Sequence, residues 1–115
     1  MKEFMLLIRT EGDPWTVLSP EQLQHHMQKG VAYITGLMNK GIIKSAQPFE
    51  NEGGIISGNG KSFTDGPFNE SKEVIAGYFH IVAKDIEEAK AIARANPIFE
   101  DGLNARIEVR PVKGI

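Results

Sequence analysis

Residues 73–83 alternate as a single long β-strand, and this pattern constrains the fold more than any other part of the sequence. Side chains two apart along a strand share a face. The first face carries Ile75, Gly77, Phe79, Ile81 and Ala83. The second face includes a phenol, Tyr78, and an imidazole, His80. The pattern therefore predicts a β-sheet with an apolar face and a second face that carries polar side chains.

The segment Asp65-Gly66-Pro67-Phe68 comes just before this strand and predicts a chain reversal. Proline fixes its own φ and disfavours the helical region for the residue before it, and glycine tolerates unusual dihedrals. The Asp65 carboxylate can accept nearby backbone N–H groups in such a turn. It can also act as a general base, or orient an imidazole within hydrogen-bonding distance.

Composition bounds the class of protein. The chain has 115 residues, 41% of them hydrophobic and 24% charged, which predicts a single domain over residues 1–115. A net charge of -2 and a pI near 5.9 argue against nucleic-acid binding. The absence of cysteine excludes thiolate metal ligands and thiol nucleophiles, and the default location is the cytoplasm. The apolar run at residues 4–8 is too short for a membrane span or a signal peptide.

The first half of the chain predicts a strand, a helix and a second strand. Residues 3–9 are apolar on both faces, which indicates a central strand. Ser19, Pro20 and Gln22 form a capping box that begins a helix, which ends near residues 39–40 with Gly41 as its C-cap. Residues 42–47 predict the next strand. The expected buried stripe of the helix is Leu23, Met27, Gly30, Ile34, Leu37 and Met38.

The second half predicts a hairpin, the long strand, a helix and a last strand. Residues 54–57 and 61–64 flank Gly58-Asn59-Gly60, a typical hairpin turn. Residues 85–88 begin a helix that runs to about residue 96 and stops at Pro97, with a narrow apolar face rich in alanine. Residues 105–112 alternate as a final strand.

This order predicts an α+β fold, a ferredoxin-like βαββαβ plan with an added hairpin. Both helices would cover one face of the sheet. The other face is half polar and half apolar, so it needs a cover, and a second copy of the chain is the simplest one. We therefore expect a homodimer that encloses a pocket for a small molecule.

The sequence resembles the DGPF-domain branch of the YCII-related family. The resemblance is carried by Asp65-Gly66-Pro67-Phe68, by residues 70–73 and by Gly77-Tyr78-Phe79, and it extends over nearly the whole chain. It implies a dimeric α+β barrel, in agreement with the predicted order of elements.

The family resemblance also suggests functions. The broader YCII branch carries a histidine and an aspartate proposed as an enzymatic pair, and the aspartate corresponds to Asp65. The histidine of that branch aligns near Lys29 or Gly30, whereas some DGPF relatives have histidine at the position of His26. One related branch acts in the dechlorination of chlorinated hydroxyquinols. DGPF members have also been labelled as transcription-initiation proteins.

The candidate catalytic residues are Asp65 with His26 or His80, because imidazole titrates near neutrality. Each has a structural alternative: Asp65 as a turn carboxylate, His26 at the edge of the core, and His80 at a dimer interface. His25 and His26 diverge by about 100° around the helix, so a metal site with His80 is not expected. We expect no cofactor.

The candidate ligand-binding residues are aromatic and cationic. Arginines can hold a carboxylate or phenolate ligand, or they can form salt bridges within the sheet, for instance with Glu108. Trp15 can cap the mouth of a pocket or pin its loop to the sheet. The candidates are Tyr78, Arg9, Trp15, Phe68 and Arg110.

Two classes of function stay open. One is a small cofactor-independent enzyme, a lyase or isomerase acting on an aromatic or carboxylated metabolite. The other is a non-catalytic small-molecule-binding or accessory protein. An imidazole that faces a pocket beside Asp65 would favour the first class.

Overall fold

The computed structural model describes residues 1–12, 16–67 and 73–114. Its helices are α1 (Pro20–Asn39) and α2 (Ile86–Arg94), with a short 3-10 helix at Pro97–Phe99. One antiparallel sheet has the strand order β2-β5-β1-β6, and β3 and β4 form a separate two-stranded sheet. The strands are β1 (Lys2–Glu11), β2 (Ile43–Pro48), β3 (Gly54–Gly58), β4 (Phe63–Pro67), β5 (Glu73–Ala83) and β6 (Ala105–Pro111). The ferredoxin-like plan with an added hairpin is confirmed.

The core lies between the four-stranded sheet and the helices. Strands β1 and β5 occupy the centre of the sheet, as the apolar residues on both faces of β1 predicted. Alternate side chains of the two strands point toward the helices, and burying them provides most of the stabilisation. The buried cluster consists of Phe4, Leu6, Leu37, Phe79, Ile81, Ala83, Ala89 and Ala93.

An irregularity in β5 shifts its alternation. Ile8 pairs with Gly77, but the next residue, Arg9, pairs with Ile75, so that Ala76 has no partner in β1. A bulge of this kind moves the following side chains to the opposite face. Val74 consequently faces the buried Thr10, and Ile75 pairs with Arg9. The prediction that Ile75 shares a face with Gly77 and Phe79 was wrong, because a strict period of two cannot include a bulge.

Helix α1 begins as its sequence predicts, but its C-cap is one residue earlier than the predicted Gly41. The Ser19 hydroxyl accepts a hydrogen bond from the backbone N–H of Gln22, and the Gln22 side chain accepts one from the Ser19 N–H. These two bonds satisfy backbone donors that no helical carbonyl can reach. Lys40 is the C-cap, and Gly41 follows it with a φ of 70°, a left-handed conformation that glycine adopts without steric cost.

The buried stripe of α1 is rotated from its predicted position. Met27 and Met38 are 55% and 62% exposed, so the prediction that both belong to the core was wrong. The side chains that face inward are His26, Tyr33, Ile34 and Leu37, of which Ile34 and Leu37 belong to the predicted stripe. Helix α1 packs on the 3-10 helix as well as on the sheet. Periodicity predicted an apolar stripe but could not locate the surface on which it packs.

Helix α2 packs closely because its inner face is made of alanine. Ala89 is 0% exposed and Ala93 is 5% exposed. The Asp85 carboxylate caps the helix by accepting from the Glu88 N–H at 2.9 Å. The two helices are joined by Tyr33, whose hydroxyl donates to the Ile92 carbonyl at 2.6 Å, and burial raises the pKa of Tyr33 to about 12.

The hairpin β3–β4 is confirmed and projects as a separate sheet. The Asn59 side chain accepts hydrogen bonds from the N–H groups of Lys61 and Ser62, which closes the turn. Asp65 and Gly66 belong to β4 and pair with β3, so the predicted chain reversal does not begin at Asp65. In the described part of the chain, no helix is long and apolar enough to cross a membrane.

Replacing Ala89 by leucine should destabilise the protein by about 1–3 kcal/mol, because the larger side chain has no space between α2 and the sheet. The matched control is Ala91→Leu on the exposed side of the same helix, which should change stability by less than about 0.5 kcal/mol. Urea unfolding followed by circular dichroism measures both. Equal effects of the two substitutions would contradict the close packing of α2.

Candidate functional site

A cavity of about 710 Å³ opens on the helix side of the four-stranded sheet. It lies where β1 ends and β5 begins, at the point where the helices no longer cover the sheet. Gly77 of β5 allows β2 to lie close to it at this end of the sheet. A Cβ on Gly77 would come within 2.7 Å of the Gln47 carbonyl oxygen and force β2 away. The wall of the cavity is mainly apolar and includes Ile8, Ile34, Phe79 and Ile98.

Two buried polar side chains line the same cavity, Thr10 and Asn96, which are 2% and 8% exposed. The Thr10 hydroxyl donates to the Gly12 carbonyl at 2.9 Å. The Asn96 side-chain oxygen accepts from the Ile98 N–H at 2.9 Å and caps the 3-10 helix. An apolar wall with a few fixed polar groups is typical of a small-molecule pocket.

Two predicted ligand-binding residues, Trp15 and Phe68, lie outside the described residues. Residues 49–51 complete the rim and are exposed. No imidazole lines the part of the wall that the structure describes.

His26 is buried in α1, and its partner is Asp101. Its Nδ1 lies 2.9 Å from Oδ2 of Asp101, and the His26 side chain is 6% exposed. Lys29 binds the same carboxylate, with Nζ 2.9 Å from Oδ2. The hydrogen bonds from Lys29 and His26 lower the pKa of Asp101 below its ordinary value.

Asp101 has a left-handed backbone, with a φ of 63°. Aspartate is among the few residues with a Cβ that adopt this conformation readily. The conformation lets the loop after the 3-10 helix turn its carboxylate back onto α1. The pair of His26 with Asp101 therefore ties α1 to the segment that carries Asn96 and Ile98.

Asp65, the predicted partner of an imidazole, is exposed on the hairpin, where it pairs with Ile56 across β3. The structure does not bring it to His26 or to His80, since each of these contacts a different carboxylate. The Asp65 carboxylate lies beside β3, since a Cβ added at Gly54 would come within 3.3 Å of its Oδ1. Its catalytic role stays a prediction.

His80 and Tyr78 lie on the open face of the sheet, the face turned away from the helices. Nε2 of His80 is 2.8 Å from Oε1 of Glu3, and Lys44 approaches the same oxygen at 3.4 Å. These contacts lower the pKa of Glu3. The Tyr78 hydroxyl lies 3.5 Å from the Ser45 hydroxyl oxygen. Neither predicted residue faces the cavity.

Arg9 and Arg110 share a carboxylate on the open face. Arg110 donates to Oε2 of Glu108 at 2.9 Å, and Arg9 donates to Oε1 at 2.9 Å and 3.1 Å. Both arginines lower the pKa of Glu108. These are the salt bridges within the sheet that the sequence analysis offered as the alternative to ligand binding.

Two residues with buried or ion-paired side chains near the cavity, Asn96 and Asp101, were not predicted from the sequence. The signal available for Asn96 was its position directly before Pro97, since Asn-Pro often begins a turn. For Asp101 the signal was Asp101-Gly102, a pair that favours left-handed backbone. Neither signal identifies the side chain that the residue will contact.

The YCII-related domain model matches residues 3–113. Among solved structures, the chain is similar to 5-chloro-2-hydroxyhydroquinone dehydrochlorinase (TftG) from Burkholderia phenoliruptrix AC1100, in complex with 2,5-dihydroxybenzoquinone. The two share 19% sequence identity with a TM-score of 0.50, over 96% of this chain and 93% of the other. At this identity the similarity shows the fold alone. No curated protein sequence matches the chain.

Replacing Asp101 by asparagine should reduce the acid sensitivity of folding. A carboxylate with a lowered pKa stabilises the fold above its unfolded pKa, here an ordinary value of 3.8, and this stabilisation is lost as the pH falls through the folded pKa. The free energy of unfolding should therefore fall less steeply below pH 3.8 in Asp101→Asn than in the native protein.

The matched control is Asp65→Asn, the same change at an exposed carboxylate of the hairpin, outside the tie between α1 and the 3-10 segment. Urea unfolding measured at several pH values gives the comparison. If Asp101→Asn and Asp65→Asn behave alike, the tie between α1 and the 3-10 segment does not contribute to stability.

Proposed function

This chain belongs to the YCII-related family, and we propose that it binds a small, largely apolar metabolite in the cavity between the sheet and α1. The observation that carries the proposal is the cavity itself. Its volume of about 710 Å³ falls within the range of roughly 300–1,000 Å³ typical of ligand pockets.

The chemistry of the wall favours a ring compound. Burying apolar surface stabilises a complex by about 25 cal/mol per Å², before the costs of association are subtracted. Ile34 and Phe79 supply such surface from opposite sides, one from α1 and one from β5. The ligand of the dehydrochlorinase, 2,5-dihydroxybenzoquinone, is a planar ring with oxygen substituents and is a suitable first probe.

The proposed site differs from the pocket expected on the open face or at a dimer interface. The polar groups of the open face pair with one another: Glu3 with His80, and Glu108 with Arg9 and Arg110. A ligand there would have to displace these ion pairs. The cavity on the helix side needs no such displacement.

We also propose that the chain forms a homodimer through the open face of the sheet. Met5, Leu7 and Val82 are only half-buried there, between the ion pairs. The hairpin adds further apolar surface, because Ile56 and Phe63 are 64% and 68% exposed. Surfaces of this kind in small domains commonly mark interfaces between copies.

A catalytic role is the second candidate function. It would make the protein a cofactor-independent lyase or isomerase, similar to the dehydrochlorinase, with an imidazole and a carboxylate as its acid–base pair. The observation in its favour is the direct contact of His26 with Asp101. Binding takes precedence in the proposal because the described wall of the cavity holds no imidazole.

Membership of the DGPF branch stays part of the proposal, since it depends on Asp65-Gly66-Pro67-Phe68 in the sequence. The cytoplasmic location, the absence of nucleic-acid binding and the label of transcription initiation stay predictions. None of them enters the argument for the cavity.

Replacing Ala46 by phenylalanine should fill the cavity and weaken ligand binding about tenfold or more, because Ala46 lines the wall from β2. Titration of the native protein with α-methylstyrene, a planar hydrocarbon, should shift the amide NMR signals of Ile34 and Ile98. The matched control is Ala32→Phe on the exposed side of α1, which should bind as the native protein does. No shifts in the native protein would contradict the proposed function.

Replacing Leu7 by lysine should dissociate the proposed homodimer, because it places a charge at the centre of the open face. Size-exclusion chromatography with light scattering would report a mass near 12.7 kDa for the variant and twice that for the native protein. The control is Val31→Lys on α1, where the side chain is 65% exposed. A dimer lost in the control but kept in Leu7→Lys would put the interface on α1.

A further inference from the structure

We propose that the side-chain amide of Asn96 selects the ligand of the cavity, by donating a hydrogen bond to a carbonyl or phenolate oxygen on an apolar ring. This inference rests on the proposed function, since it requires that the cavity binds a small molecule. It adds the chemical class of the ligand and the residue that recognises it.

The orientation of the Asn96 amide is fixed by the backbone. Its Oδ1 accepts from the Ile98 N–H at 2.9 Å, so the NH2 group must be the other branch of the side chain. Assigning oxygen and nitrogen from their hydrogen-bond partners leaves one choice here, because two N–H groups cannot bond to each other. The NH2 group therefore points away from the 3-10 helix that Oδ1 caps.

That NH2 group is available to donate to a ligand. Asn96 is 8% exposed and lines the cavity, and no group in the described residues accepts from its Nδ2. The same described residues contain no fully buried side-chain nitrogen or oxygen without a hydrogen bond, so Nδ2 keeps some accessible surface. A donor with accessible surface, on a residue that is otherwise buried in an apolar wall, favours a ligand that can accept from it.

The second buried polar group cannot supply this donor. The Thr10 hydroxyl donates its hydrogen to the Gly12 carbonyl at 2.9 Å, so toward a ligand its oxygen can act only as an acceptor. Of the described side chains that are both buried and part of the wall, only Asn96 offers free N–H groups. The Asn96 NH2 group is thus the contact at which a ligand with an oxygen acceptor would bind more tightly than a hydrocarbon of the same shape.

The position of this donor depends on the tie to α1. Asn96 caps the 3-10 helix, and Asp101, which follows that helix, is bound to His26 and Lys29 of α1. The Asn96 donor and the apolar wall are therefore fixed relative to each other, because Ile34 of α1 and Ile98 of the 3-10 helix contribute to the same cavity. A preorganised donor loses little freedom when a ligand binds.

The test compares two probes of the same shape, acetophenone and α-methylstyrene, which differ only in a carbonyl oxygen against a methylene group. Their dissociation constants are measured by NMR titration in the native protein, Asn96→Ser and Asn96→Asp. Both variants keep an oxygen that can cap Ile98 and remove the NH2 group. The affinity of acetophenone relative to α-methylstyrene should fall roughly two- to tenfold in Asn96→Ser, and further in Asn96→Asp, where a carboxylate would face the carbonyl.

The control is Asn39→Ser at an exposed position, which should keep the native ratio. A ratio unchanged in both Asn96 variants would overturn the inference while the proposed function stands. Loss of α-methylstyrene binding in the variants would also overturn it, because Asn96 would then only maintain the cavity. If neither probe binds the native protein, the proposed function fails, and the inference fails with it.

Discussion

The pairing of β1 with β5 is the constraint on which the rest of the structure depends. These two strands form the centre of the sheet, and Phe4 and Leu6 of one lie beside Phe79 and Ile81 of the other in the core. Both helices pack on this patch through Leu37, Ala89 and Ala93. Strands β2 and β6 are added at its two edges. Because one face of the pair is fully covered, its register cannot slip without exposing every core side chain.

The cavity forms where the helices stop packing closely against the sheet. Alanines bring α2 into close contact with the middle of the sheet, but toward the end of β1 the bulge at Ala76 and the 3-10 helix leave a space that side chains do not fill. The apolar residues of the sheet become the wall of the space. The same features that disturb regular packing therefore create the candidate site, as is common for bulges near functional sites.

The fold could be predicted from the sequence because its determinants are local. Ser19 with Gln22, the Asn-Gly turn and the alternation of residues 77–83 each act through near neighbours. The site could not be predicted because its contacts join distant parts of the chain: His26 and Asp101 are separated by 75 positions. Tyr78 and Arg9 were predicted as ligand-binding residues, but each has its hydrogen-bond partner on a neighbouring strand, where the sequence alone does not place it. Arg110 instead donates to Glu108 of its own strand.

The β3–β4 hairpin can change in sequence and length more freely than the rest of the domain. In the residues that the structure describes, its strands hydrogen-bond to each other and not to the main sheet, so its opening need not disturb the core. An insertion between β2 and β5 that folds as its own unit can change length or composition at little thermodynamic cost to the scaffold. It is therefore the part of the domain best suited to diverge, since a new surface can arise there while the buried strands stay unchanged.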